Sequence, residues 1–266
     1  VQHLFRSWES FSSEIKAAAH VLLLSDYDGT LTPIVSRPDE AVLSSVVRDR
    51  LRALAARPNF SVGIVSGRPL LEVKSLVEVE EIYYAGNHGF EIEGPGLNFI
   101  HPAAKAAQPK IHSLLRQLSA RLADIEGIII EDKGLSLSIH YRLVSRSDEE
   151  MAAEIFRRVT SPWLHDGEIR VTSGKKVWEI RPPIDWQKGK AVETIMDEIK
   201  PVYKGKQCLA IYLGDDTTDE DAFKVIHRPQ GWGIFVGREN ESSSADYCLD
   251  SPSEVMIFLS RLLELK

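Results

Sequence analysis

The chain has 266 residues, 27% of them charged and 43% hydrophobic, which is an ordinary soluble globular composition with room for one core and a smaller inserted or appended unit. A formal net charge of -7 argues against nucleic acid or an anionic membrane as partner, because either would need clustered positive charge. Two cysteines, with Cys208 inside an apolar run, exclude a disulfide scaffold and favour a reducing, cytoplasmic setting.

The chain opens with Val and is expected to be an excised domain or a processed chain. Leu4, Phe5, Trp8, Phe11 and Ile15 recur at helical spacing, which predicts an amphipathic helix. The run "VLLLSDYDGTLTPI" then reads as a buried strand ending in two carboxylates, and its apolar part is far short of the roughly 20 residues of a membrane span. "EAVLSSVVRDRLRALAARP" repeats apolar residues at Leu43, Val47, Leu51 and Leu54 and stops at a proline, as a helix would. "FSVGIVSGRP" is a second strand, "LLEVKSLVEV" a second helix, and "IYYAGNHGFEI" a third strand running into a glycine-punctuated loop. Strands alternating with helices imply a parallel sheet with helices on its faces.

The pattern then changes. "GPGLNFIHPAAK" is rich in turn residues and leads to a helix around 111–122, followed by "IEGIIIED", the alternating "GLSLSIHYRL", a helix around 149–159, and the strands "EIRVTS" and "KVWEIRP". Alternation of this kind describes a sheet with one face covered and one open. Residues 104–181 are therefore expected to form a smaller α+β unit inserted into a core made of 1–103 and 182–266. After Pro183 the earlier rhythm resumes with a helix from about Lys188, the strand "CLAIYLG", a helix from about Thr218, the strand "GWGIFVG", a short "ADYCL" and a terminal helix. No repeat or low-complexity tract interrupts it.

Asp26 and Asp28 lie two apart, so on an extended chain they project to one side, and Gly29 and Thr30 leave them at the strand's mouth. Two acids in one small site ionise at different pH, which lets one attack as a nucleophile while the other carries a proton. An acidic turn after a buried strand is the plain alternative. A second apolar strand ends in Asp215 and Asp216, and grouped carboxylates suit Mg2+. Thr217 with Glu220 reads as a capping box, which accounts for the later acids but not for those two. Ser66, with the Gly67 amide, and Lys188 at a helix start can hold a phosphoryl group. Arg68 is expected to be an ordinary surface ion-pair partner and Lys190 to point to solvent.

Taken together, "DYDGTL", "VSGR", "KGK" and "GDDTTDEDAF" resemble the motifs of the haloacid dehalogenase superfamily of phosphotransferases. The resemblance implies a Rossmann-like α/β core with a parallel sheet and an inserted α+β cap domain. It makes Asp26 the nucleophile that becomes phospho-aspartate, Asp28 the general acid/base, and Ser66 and Lys188 the phosphoryl holders. Mg2+ would sit on Asp26, the Asp28 main-chain carbonyl and Asp215, with Asp216 beside them. "GNHGFEI", "GLSLSIHYR" and "GKKVWEIRP" narrow the resemblance to the trehalose-6-phosphate phosphatase family. That implies a phosphorylated disaccharide as substrate and, as a further partner, a trehalose-6-phosphate synthase domain or subunit. Alternation places Lys175 and Glu179 on one face of a cap strand, and these two, with Arg142 and with Asn87 and His88 from the core, are the candidates for sugar contacts. A solvated sheet face is the competing account of the cap residues, and Trp178 reads as cap core. The rival activities are hydrolysis of another sugar phosphate, such as sucrose phosphate or mannosyl-phosphoglycerate, and a sugar phosphomutase; a non-enzymatic module attached to a synthase is the third class.

Overall fold

A computed structural model describes residues 1–35, 37–226, 231–238 and 242–265. The chain divides into two units, Val1–Phe99 with Trp186–Lys266, and Ile100–Asp185. In chain order the first unit begins with β1 (Gln2–His3), α1 (Trp8–Ala17), β2 (His20–Ser25), α2 (Ser45–Ala55), β3 (Phe60–Val65), α3 (Leu70–Val77), β4 (Tyr83–Gly86), β5 (Glu91–Gly94) and β6 (Leu97–Ile100). The second unit supplies α4 (Pro102–Leu122), β7 (Ile129–Asp132), β8 (Leu137–His140), α5 (Glu149–His165), β9 (Arg170–Gly174) and β10 (Val177–Arg181). The chain returns to the first unit for α6 (Lys188–Tyr203), β11 (Cys208–Gly214), α7 (Glu220–Val225), β12 (Gly231–Val236), β13 (Tyr247–Leu249) and α8 (Pro252–Glu264).

The large sheet runs β1-β13-β12-β11-β2-β3-β4-β5-β6. From β1 to β4 its pairings are parallel, and β5 joins β4 antiparallel. Period-two alternation in the central strands feeds two cores. Val21 and Leu23 of β2, with Leu209, Ile211 and Leu213 of β11, enter a layer closed by α1, α2, α3 and α8. Leu22 and Leu24, with Ala210 and Tyr212, enter the layer closed by α6 and α7. A strand apolar on both faces can exist only in the middle of such a sandwich, which explains the unbroken "VLLL".

Strand order reverses on the two sides of β2, so its carboxyl end opens on a switch point, where open α/β sheets hold their ligands. Register levels the three strand ends that matter: Ser25 lies opposite Leu213 of β11 on one side and Ile64 of β3 on the other.

In the second unit β7-β8-β10-β9 form an antiparallel sheet, and α4 and α5 contribute Ile111, Leu114, Leu118, Ala152, Phe156 and Val159 to its core. Trp178 belongs to that core, stacked on Tyr141 at 4.2 Å and on Phe156 at 4.6 Å. Its limits, Ile100–Asp185, lie outside the 104–181 read from the sequence, because α4 starts at Pro102, whose fixed φ and missing N–H suit a first helical position. The aromatic rings at the two ends of this insertion, Phe99 and Trp186, stack at 5.5 Å, and the Trp186 indole donates to the Gly89 carbonyl at 2.8 Å.

Two other expectations change. The stretch read as turns holds strand β6, joined to β5 through Pro95 and Gly96, and the opening helix is a 3-10 turn over Leu4–Ser7 before α1. Among the described residues no helix is long and apolar enough to cross a membrane.

Candidate active site

β2 ends at Ser25, and the Asp26 N–H donates to the Leu213 carbonyl at 2.8 Å, which ties the acid to the end of β11. Asp26 is buried, and its Oδ1 takes a hydrogen bond from Lys188 Nζ at 2.8 Å. Lys188, the first residue of α6 and also buried, gives a second bond of 2.8 Å to Asp219 Oδ1. Asp215 completes the group, since one ligand atom each from Asp26, Asp215 and Asp219 lies within 4.8 Å of the others.

Two glycines make the approach possible. At Gly29, where φ is +81°, a Cβ would stand 2.1 Å from Asp215 Oδ2, and at Gly214 one would stand 2.3 Å from the Asp219 carboxyl carbon. Any larger residue at either position would push an acid out of the cluster.

Asp219 is fully buried and saturated with donors. Its Oδ1 accepts from Lys188 and from the Tyr212 hydroxyl at 2.7 Å, and its Oδ2 from the N–H groups of Asp215 and Asp216 at 3.1 Å each. It therefore holds Lys188 and the backbone of the acidic loop in place. Neither Asp219 nor Tyr212 was among the site residues taken from the sequence. The signal was there for Tyr212, a hydroxyl in an otherwise apolar strand, which must find a partner when buried.

Asp216 has a different job. Exposed, it caps the turn Thr217–Asp219 by accepting from the Thr217 N–H at 2.6 Å, and Asp219 returns the bond to the Asp216 N–H. The capping box thus sits one residue earlier than Thr217–Glu220, and Asp216 stands outside the carboxylate group. Glu220 instead accepts from Ser243 Oγ and the Ser244 N–H, at 2.7 Å each.

Electrostatically the cluster carries three acids against one ammonium. Burial pushes the Asp26 carboxyl well above the usual range, against the pull of Lys188, and Asp219 and Asp215 push it further. Asp215 rises to about 7, first through burial and then through Asp219. Burial pulls Lys188 down, but Asp219 and Asp26 outweigh it and the net direction is up. An all-oxygen donor set with unmatched negative charge fits a hard divalent cation such as Mg2+. Asp26 and Asp215 are the side chains that would hold it.

Asp28 occupies other surroundings than Asp26. Its two carboxylate oxygens take Arg68 Nη2 and Nε at 2.7 Å each. Arg68 is buried, contrary to the surface role expected of it, and also pairs with Glu72. Ser66, 1% exposed at the end of β3, accepts the Arg68 N–H on its Oγ at 3.1 Å.

Asn87 and His88 follow β4, both buried with φ of 49° and 56°. Their N–H groups donate to the Arg68 and Ser66 carbonyls at 2.7 and 2.9 Å, so the loops after β3 and β4 form one body. Asn87 Nδ2 also donates to Glu91 at 2.6 Å. Lys190 is exposed and paired with Glu193.

In the second unit Lys175 and Lys176 form the turn between β9 and β10, so strand alternation does not extend to Lys175 and it does not share a strand face with Glu179. Lys175 is exposed, and its carbonyl accepts from Arg142 Nη2 at 3.3 Å, placing these two together at one end of the sheet. Glu179 instead lies in register with Ser138 and Thr172, and Ser138 with Glu131. It takes Arg181 Nε at 2.7 Å and lies 3.6 Å from Lys133 Nζ.

Strand order and switch point give the fold shared with haloacid dehalogenase-like proteins. A haloacid dehalogenase-like hydrolase from Bacteroides thetaiotaomicron is similar in fold, with a TM-score of 0.61 over 91% of this chain and 99% of that one, at 16% identity. Within that class, residues 24–253 match the trehalose-phosphatase family model, and the chain belongs to that family. It is 39% identical over 264 residues to a probable trehalose-phosphate phosphatase D of Arabidopsis thaliana, covering 96% of this chain and 70% of the relative. The C-terminal domain of a C. albicans trehalose-6-phosphate phosphatase has the same fold, with a TM-score of 0.79 and 24% identity, covering 100% of this chain and 98% of that one.

Proposed function

We propose that the chain hydrolyses trehalose 6-phosphate to trehalose and phosphate through phosphorylated Asp26. Family membership supports the reaction. The observation that carries the mechanism is the buried Lys188, bonded at 2.8 Å to both Asp26 and Asp219.

An oxygen of Asp26 attacks phosphorus as the bond to the sugar oxygen breaks. Lys188 orients that carboxylate and offers charge to the phosphoryl oxygens, and the Ser66 hydroxyl stands at the end of the neighbouring strand for the same task. Asp28 gives its proton to the leaving sugar oxygen and then takes one from the water that frees Asp26. Mg2+, when bound by Asp26 and Asp215, supplies charge neutralisation between the carboxylates and the phosphate.

Sugar recognition is assigned to Asn87 and His88 in the first unit and, in the second, to the polar sheet face around Glu179, with Arg142 and Lys175 at the sheet end. A partner that makes trehalose 6-phosphate belongs to the same reading, as a synthase domain or subunit.

A phosphate-release assay over trehalose 6-phosphate, sucrose phosphate and glucose 6-phosphate, with Mg2+ and with a chelator, tests the proposal. Trehalose 6-phosphate is expected to be preferred, the chelator to stop turnover, and Asp26→Asn to lower it by at least about 10³-fold while the protein stays folded. Preference for another sugar phosphate would overturn the substrate, and isomerised sugar phosphate without free phosphate would point to a mutase.

A further inference from the structure

Arg68 has no task in the reaction as described, yet it is 6% exposed and fully engaged. Its fork meets both oxygens of Asp28 at 2.7 Å each, Nη1 reaches Glu72, and the Tyr27 ring lies 5.4 Å from the guanidinium carbon. Its backbone is fixed as well, the N–H on Ser66 Oγ at 3.1 Å and the carbonyl under the Asn87 N–H at 2.7 Å. Burying a guanidinium is costly unless its partners are well placed, and a lysine could bring the charge but not the two-pronged geometry. The pair is asymmetric: the Arg68 side chain keeps 7% of its surface exposed and that of Asp28 43%. The anchor is sealed while the carboxylate stands at the open edge, and Asp28 stays outside the group of Asp26, Asp215 and Asp219.

We infer that Arg68 is a positioning residue, its fork fixing the Asp28 carboxylate as acceptor for the proton of the water that hydrolyses phosphorylated Asp26. The inference rests on the roles proposed above for Asp26 and Asp28. In that half-reaction the water oxygen bonds to phosphorus, the bond from phosphorus to the Asp26 oxygen breaks and restores the carboxylate, and the water's proton passes to Asp28. The proton so gained is the one given to the sugar oxygen in the next turnover; the neutral acid can no longer accept both prongs as an ion pair, so the fork bears on the acceptor step. A displacement of about 1 Å in such a group can cost on the order of 10²-fold in rate.

Rapid quenching of the full chain with trehalose 6-phosphate and Mg2+, following sugar and phosphate separately, tests this. In Arg68→Ala, phosphate release is expected to slow about tenfold or more, with KM falling alongside kcat because phosphorylated Asp26 accumulates. Sugar should appear in a stoichiometric burst ahead of phosphate, because phosphorylated Asp26 outlives its formation. Guanidinium ion at millimolar concentration should speed phosphate release again. Arg68→Lys, which keeps the charge opposite Asp28 and Glu72 and so guards against simple unfolding, should resemble the alanine variant. Wild-type rates in Arg68→Lys, a raised KM at unchanged kcat, or equal slowing of both products without a burst would each overturn the assignment. Asp26→Asn separates the two layers: turnover that survives in it removes the roles of Asp26 and Asp28, whereas turnover lost in it with no burst in Arg68→Ala removes the positioning role alone.

Discussion

Asp215 shows how burial turns a side chain into a sensor of what is bound. With its folded pKa near 7 against an ordinary value of 3.8, the folded protein holds a proton there that the unfolded chain releases. Between those values the native state binds more protons, so its contribution to stability is complete at low pH and falls as pH rises, by roughly 1.4 kcal/mol per unit. Asp26 is shifted in the same direction. Between about pH 4 and 7 the cation-free protein is therefore expected to lose melting temperature relative to Asp215→Asn. Mg2+ should raise the melting temperature more at pH 7 than at pH 5, and Asp215→Asn should flatten the slope. Thermal melts with chelator and with Mg2+ measure all three, and a difference between wild type and Asp215→Asn that stays constant over this range would contradict the cluster's electrostatics.

At the scale of elements, what was legible in the sequence depended on range. Strands β2, β3 and β11 announce themselves by apolar runs, and the acids and serine at their ends follow from chain order alone. Strand β6 stayed hidden because the glycines and proline before it are turn residues that here join it, as the edge strand, to β5. The cap at Asp216 was misread by one position because Thr217 and Asp216 are both good capping residues, and only the fold decides which backbone N–H is in reach. The bond from Lys188 to Asp219 and the seat of Arg68 on Asp28 depend on contacts between distant stretches that no local pattern encodes.

One such contact supports a whole helix. Arg57, following α2, donates to the carbonyls of Leu262 and Leu265 at 3.1 Å each and to that of Leu263, the groups a helix end leaves without partners. Arg57→Ala is expected to lower unfolding stability by about 1–3 kcal/mol, read as a fall in the urea midpoint at unchanged slope.

On the scale of the molecule, the second unit is one continuous stretch with its own apolar core, whereas the first is built from two separated stretches. Residues 100–185 expressed alone are therefore expected to fold and to melt cooperatively, as read by circular dichroism. A featureless, non-cooperative melt would show that this core needs the rest of the chain. The stacked Phe99 and Trp186 rings give that division a practical side. Departure and return of the inserted stretch are stapled at a single doorway, so the principal sheet is complete whatever hangs between the two rings. A graft from a cousin could occupy the same slot without rerouting the host, and the large sheet with its carboxylate cluster would be inherited intact.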